Sequence, residues 1–124
     1  MPSDKSTSLE EDNVIFHITT RSQWEQAQQL GDYRADSLDT EGFIHCSTID
    51  QVVGVANRFY RGKTGLVLLK IECDRLKARL QFDAIETGEL FPHLYGALNL
   101  DAIVQVLEFE PKSASFNIPS TDSL

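Results

Sequence analysis

The sequence has little cysteine, little positive charge and no long apolar run. Two cysteines, Cys46 and Cys73, can form at most one bridge, and neither lies in a Cys-x-x-Cys pair. A disulfide framework or a thioredoxin-like redox motif is therefore excluded, and reduced thiols are expected. Eleven Lys plus Arg stand against 19 Asp plus Glu, a formal net charge of −8. Long-range attraction to nucleic acid or to an anionic membrane is not the expected mode of binding. Any phosphate would need a local cationic patch, for which Arg58, Arg61 and Lys63 are the first candidates and Arg21 and Arg34 separate ones. No stretch approaches the roughly 18 to 20 apolar residues of a spanning helix, and the segment after Met1 has neither a basic nor a hydrophobic leader region. The expectation is a cytoplasmic protein that stays out of the membrane. Gly-x-Gly-x-x-Gly, a P-loop lysine motif and His-Glu-x-x-His are all missing.

What is present suits one domain. The 124 residues are 41% hydrophobic, enough for a core without a structural metal. Polar, Ser-rich composition marks residues 1–12 and 111–124 as flexible tails around a domain at 13–110.

Val14, Phe16 and Ile18 alternate with Ile15, His17 and Thr19 in a first strand, which turns His17 away from Phe16. Thr20 and Gln23 have capping-box spacing, and Trp24, Ala27 and Leu30 give a first helix its apolar stripe before Gly31. From Gly31 to Gly42 the chain reads as a loop with one turn at Asp36 to Leu38. Phe43 to Cys46 reads as a strand. Thr48 and Gln51 repeat the capping spacing, and Val52, Val53, Ala56 and Phe59 line the buried side of a second helix. Strands are expected at Leu66 to Ile71, Leu80 to Ala84 and Ala102 to Phe109, with a structured loop over GELFPHLYGALNL. This order is α+β rather than doubly wound.

Three histidines carry the candidate chemistry. His17 in FHITT and His45 in IHCST each close a strand just before hydroxyl residues and a helix, where side chains stand on a rigid base and free helix N–H groups can meet an anion. Two neutral imidazoles can hold ribose hydroxyls or move a proton; half-buried rings satisfying backbone carbonyls fit the same pattern. His93 lies in FPHLYG, where Pro92 and Gly96 fix the backbone and Phe91 and Tyr95 offer rings for a planar group. That segment fits a ligand wall or a plug closing the core. Three histidines and Cys46 are possible zinc donors, but His45 and Cys46 project to opposite faces and no close ligand pair exists, so no metal is expected. Cys46 shares the Ile44 face and reads as core rather than nucleophile.

FHITT, the Trp24 helix, GFIHCSTIDQVVGVANRFYRG, LVLLKIECDRL and FPHLYGALNLDAIV together resemble the bacterial domain of unknown function numbered 952, from about Val14 to Phe109. The resemblance implies a fold similar to the ADP-ribosyltransferase superfamily: a split, bent β-sheet with two principal packed helices and a cleft for nicotinamide adenine dinucleotide (NAD). His17-Ile18-Thr19 and His45-Cys46-Ser47 look like the two histidine segments of RNA 2'-phosphotransferases, although Ile18 stands where those enzymes have glycine. The glutamate that toxin-like and polymerase-like members place late in the chain has no clear counterpart, because Glu108 comes too far along and on a polar face. Among Glu72, Asp83, Glu86 and Glu89, no motif selects a catalytic carboxylate.

The expected function is therefore a pocket for NAD or a related nucleotide, formed by His17, Thr19, His45, Ser47, Phe91, His93 and Tyr95, with ADP-ribosyl transfer or hydrolysis as its chemistry. The alternatives are a noncatalytic module for a small polar metabolite and a protein-interaction domain using Trp24, Phe59 and Tyr60.

Overall fold

The first strand is apolar on both sides except at His17, Thr19 and the terminal Thr20, and it folds as a buried strand between two cores. In the computed structural model, which describes residues 13–109, 111–112 and 115–116, β1 (Val14–Thr20) pairs antiparallel with β4 (Leu66–Glu72), and β4 with β8 (Ile103–Glu108). Ile15 joins Val67, Leu69 and Ile71 in one core, while Phe16 and Ile18 join Leu66 and Leu68 in the other. The run LVLLKI is thus continuous because both of its faces are covered.

Helix α1 (Arg21–Leu30) begins at Thr20, whose hydroxyl accepts from the Gln23 N–H at 3.0 Å, and ends at Gly31 in the left-handed region. It lays Ala27 and the half-buried Trp24 on the first core. Helix α3 (Ile49–Phe59) begins with the capping box of Thr48 and Gln51 and places Val52 and Ala56 in the second core. Leu30 and Phe59 depart from the expected stripes, at 67% and 64% exposed. Each is the last residue of its helix, where the apolar stripe runs past the side chains it packs on.

The second sheet, β3–β6–β5, is also antiparallel: β3 (Ile44–His45) and β5 (Arg79–Ala84) flank β6 (Leu90–Tyr95). The segment expected as a loop over FPHLYG is therefore this sheet's central strand. Proline survives there because the Pro92 carbonyl receives the Cys46 N–H at 3.0 Å, which points its missing donor past the end of the two-residue β3. Pro and Gly gave a loop signal that strand pairing overrides. Gly96, just after β6, has φ +151° and an added Cβ would lie 2.7 Å from Ala78 Cβ. The expected loop between Gly31 and Gly42 likewise holds β2 (Asp32–Tyr33), paired with β7 (Leu98–Asn99), and the short helix α2 (Asp36–Thr40).

The two three-stranded sheets share the first core and are joined by one backbone bridge. Phe16 and Ser47 exchange both backbone hydrogen bonds at 2.8 Å, so the chain leaving β3 runs against the edge of β1. The architecture is α+β, as expected. Beyond β8, Pro111–Lys112 (β9) pairs antiparallel with Ser115–Phe116 (β10), a feature that the polar composition does not announce. The remaining residues of both expected tails lie outside the described residues. Among the described residues, no helix is long and apolar enough to cross a membrane.

Candidate functional site

The repeated pattern of strand, histidine, hydroxyl cap and helix places two helix starts side by side. His17 precedes the cap Thr20 of α1 as His45 precedes the cap Thr48 of α3, and the Phe16–Ser47 bridge sets the two units together. Between them opens a cleft of about 740 Å³, whose lining includes His17, Thr19, His45, Ser47, Phe91 and His93. Six of the seven expected site residues therefore share one cavity. Tyr95 is not in the lining; it stands behind His93, with its hydroxyl donating to Asp83.

The two repeated histidines meet different environments. His17 is 7% exposed, with Nδ1 donating to the His45 carbonyl at 2.6 Å and Nε2 lying 2.8 Å from the Tyr33 hydroxyl. Burial lowers its pKa from 6.5 to about 4, outweighing the hydrogen bond to the His45 carbonyl, which raises it. A neutral ring whose Nδ1–H binds a carbonyl has an unprotonated Nε2, which faces the Tyr33 hydroxyl, and the single proton of that hydroxyl is shared between this nitrogen and Thr19 Oγ1. Tyr33 also lies 2.9 Å from Thr19 Oγ1, and the Thr19 hydroxyl reaches Gln23 Oε1 at 2.9 Å. Burial pushes the Tyr33 phenol up to about 12, so it stays protonated. The result is a buried polar floor in which His17 has both nitrogens engaged. His45, by contrast, is exposed and sets Nε2 at 3.2 Å from both oxygens of Glu41.

His93 stands directly across from His45 in the β3–β6 register. Its Nδ1 lies 2.9 Å from Asp83 Oδ2, and its ring stacks on Phe43 at 4.0 Å with 15° between planes. Asp83 also accepts from Gln81 at 2.6 Å, and Arg79 donates to Gln81 at 2.7 Å. Hydrogen bonds from Tyr95, Gln81 and His93 hold the Asp83 pKa down to about 2, and the same contact raises that of Tyr95. Strand alternation explains the grouping: Arg79, Gln81 and Asp83 share a face of β5 with Tyr95, His93 and Phe91 across the ladder.

Several lining residues had no sequence signal. Tyr33, Asp36 and Ser37 lie in a span whose composition signals a loop, and Gln23 and Gln51 carry only capping signals. Of the candidate cations, Arg58 lines the cleft; Arg61 and Lys63 are exposed and outside it, Arg21 pairs with Glu108, and Arg34 lies 3.7 Å from Asp32. Of the four candidate carboxylates, Glu89 alone lines the cleft, where Gln51 donates to it at 3.1 Å. Of the aromatics considered for a protein partner, Trp24 packs on the first core and Phe59 and Tyr60 border the cleft. Cys46 sits with Ile44 in the core, its thiol pKa pushed far up by burial, and the Cys73 thiol is raised to about 11. Among the described residues, no group of three or more His, Cys, Asp or Glu is arranged to hold a metal ion.

The family described as "Protein of unknown function (DUF952)" matches residues 18–106, a span that begins one residue after His17 and holds the His45 unit, the β3–β6–β5 sheet and most of β8. The chain belongs to the DUF952 family. This DUF952 protein is similar to protein CC0527 of Caulobacter crescentus, whose X-ray structure superposes with a TM-score of 0.78 at 28% identity, covering 84% of this chain and 93% of that one. The solution NMR structure of CC0527 gives a TM-score of 0.73 at 28% identity, with 83% and 90% covered. No curated protein matches the chain.

Proposed function

We propose that the cleft binds a nucleotide of the NAD class, and that any chemistry performed on it is ADP-ribosyl transfer or hydrolysis. The observation that carries this reading is the convergence of His17, Thr19, His45, Ser47, Phe91 and His93 on one cavity of about 740 Å³. That volume lies in the range of small-molecule sites, roughly 300 to 1,000 Å³. Phe59 and Phe91 supply apolar rings for a planar group, and Arg58 supplies a positive charge for a phosphate. The ADP-ribosyltransferase-like reading draws support from two antiparallel sheets that pack on a shared core and pair by backbone at the Phe16–Ser47 bridge beside the cleft.

A second reading, binding without turnover, is favoured by the state of His17. Neutral and engaged at both nitrogens, it serves as part of the floor rather than as a free base. One experiment separates the readings. Thermal unfolding of the full chain is followed with NAD, nicotinamide mononucleotide, ADP-ribose and adenosine monophosphate, and each stabilising mixture is then analysed for products. A saturable rise in Tm is expected with at least one of them. Stabilisation with product release makes the protein an enzyme, stabilisation alone a binding module, and no response to any of the four overturns the nucleotide reading.

A further inference from the structure

We infer that His45 and His93 form a pair of hydrogen-bond acceptors for two neighbouring ligand hydroxyls, which assigns a ribose with an intact cis-diol to this end of the cleft. The inference rests on the nucleotide reading above and narrows it to ribonucleotides.

Each ring has one nitrogen committed to a carboxylate. His93 Nδ1 faces Asp83 at 2.9 Å, and His45 Nε2 faces both Glu41 oxygens at 3.2 Å. An ionised carboxylate only accepts, so these nitrogens carry the ring protons, and in the neutral imidazoles the opposite nitrogens are lone-pair acceptors. Among the described residues, no buried side-chain nitrogen or oxygen lacks a partner. His93 is 6% exposed, and its one described hydrogen bond uses Nδ1. Its Nε2 therefore meets the open cleft that the ring lines.

The acceptors are also held in place. Phe43 stacks on His93 at 4.0 Å and meets the His45 ring edge-on at 4.9 Å, while the two imidazoles stand 5.3 Å apart at 79°. Tyr95 and Gln81 fix Asp83 behind His93. Rings set this close can address adjacent atoms of one sugar, with their rotamers settled before the ligand arrives.

The charge of the surroundings selects the same chemistry. Among the described residues, Asp36, Asp50 and Glu89 line the cleft against Arg58 as its one Lys or Arg side chain. A lining with surplus acceptors favours a ligand that brings donors, and a cis-diol brings two. His17 cannot compete for this role, since His45 O and Tyr33 occupy both of its nitrogens.

The test compares adenosine and nicotinamide mononucleotides with their 2'-deoxy counterparts by calorimetry on the full chain at about pH 8, where an ordinary imidazole is neutral. The expected result is a loss of at least about tenfold in affinity on removing the hydroxyl. Of His45→Phe and His93→Phe, the second of which keeps a ring against Phe43, at least one should shrink the ribo-to-deoxy affinity ratio toward one, and an unchanged ratio in both overturns the assignment. Equal affinity for ribo and deoxy forms in the unaltered protein overturns the diol assignment and leaves the nucleotide reading standing; no binding by any of them overturns both. A measurement independent of ligands and variants is the ¹⁵N spectrum of the imidazoles. An unprotonated Nε2 on neutral His93 is expected, and a protonated Nε2 on the neutral ring overturns the inference outright.

Discussion

His17 and Tyr33, sixteen residues apart in the chain, meet at 2.8 Å in the buried floor of the cleft. The contact joins β1 to the segment after α1, and through Thr19 it continues to the first turn of that helix. Removing the Tyr33 hydroxyl with Tyr33→Phe leaves both His17 Nε2 and Thr19 short of a partner in a site without bulk water. A destabilisation on the order of 1 to 3 kcal/mol is expected in urea unfolding. No measurable change would mean that the floor is hydrated and the contact dispensable.

The same histidine makes stability depend on pH. Its folded-state pKa of about 4 lies below the 6.5 of an unperturbed imidazole, so between these values the unfolded chain binds more protons than the folded one. Stability therefore rises with pH across this window: the contribution is complete above about 6.5 and is lost as pH falls through about 4. Its size is on the order of 3 kcal/mol, from the 1.36 kcal/mol that accompanies each pKa unit. Urea midpoints measured from pH 4 to 7 should slope more steeply in the natural protein than in His17→Gln. Parallel profiles would show that the ring is not desolvated.

Asp83 offers a spectroscopic check on the support of His93. Its contact with Tyr95 holds the carboxyl pKa low and raises that of the phenol. In Asp83→Asn the Tyr95 phenol should titrate at lower pH, read from its ring resonances. In the natural protein the Asp83 carboxyl should remain ionised until pH approaches about 2. A Tyr95 titration indifferent to the substitution would detach it from the network behind His93.

Trp24 is half-buried against the first core rather than enclosed by it. Trp24→Ala should cost on the order of 2 kcal/mol in denaturant unfolding, below the roughly 3 to 5 kcal/mol of a fully enclosed tryptophan. A loss under about 0.5 kcal/mol would make the ring available as a surface for a partner.

Gly96→Ala tests the turn that leaves β6. The new Cβ would lie 2.7 Å from that of Ala78 at a φ of +151°, so strain and overlap combine. A loss of about 1 to 3 kcal/mol is expected, and full tolerance would show that this turn can rearrange.

Periodicity and capping chemistry are local, and they were legible in the sequence. Alternation in VIFHITT, the Thr20 and Thr48 caps, the apolar run LVLLKI and the repeated histidine units all follow from neighbouring residues. So did the opposite orientations of His45 and Cys46. The β6 strand was not legible, because Pro92 and Gly96 signal a loop when read alone. A strand there becomes favourable only once β3 and β5 supply partners and the proline's missing donor falls beyond the end of β3. Tyr33, Glu41 and Asp83 carried no motif for the same reason, since their roles depend on which histidine the chain brings to them. Local chemistry marks His17, His45 and His93 as candidates for the cleft. Their states come from the fold: β1 burial engages His17 at both nitrogens, while the β3–β6 register sets His45 and His93 side by side with one nitrogen of each held by a carboxylate. Burial and strand register arise between distant segments, so no local pattern of residues encodes them.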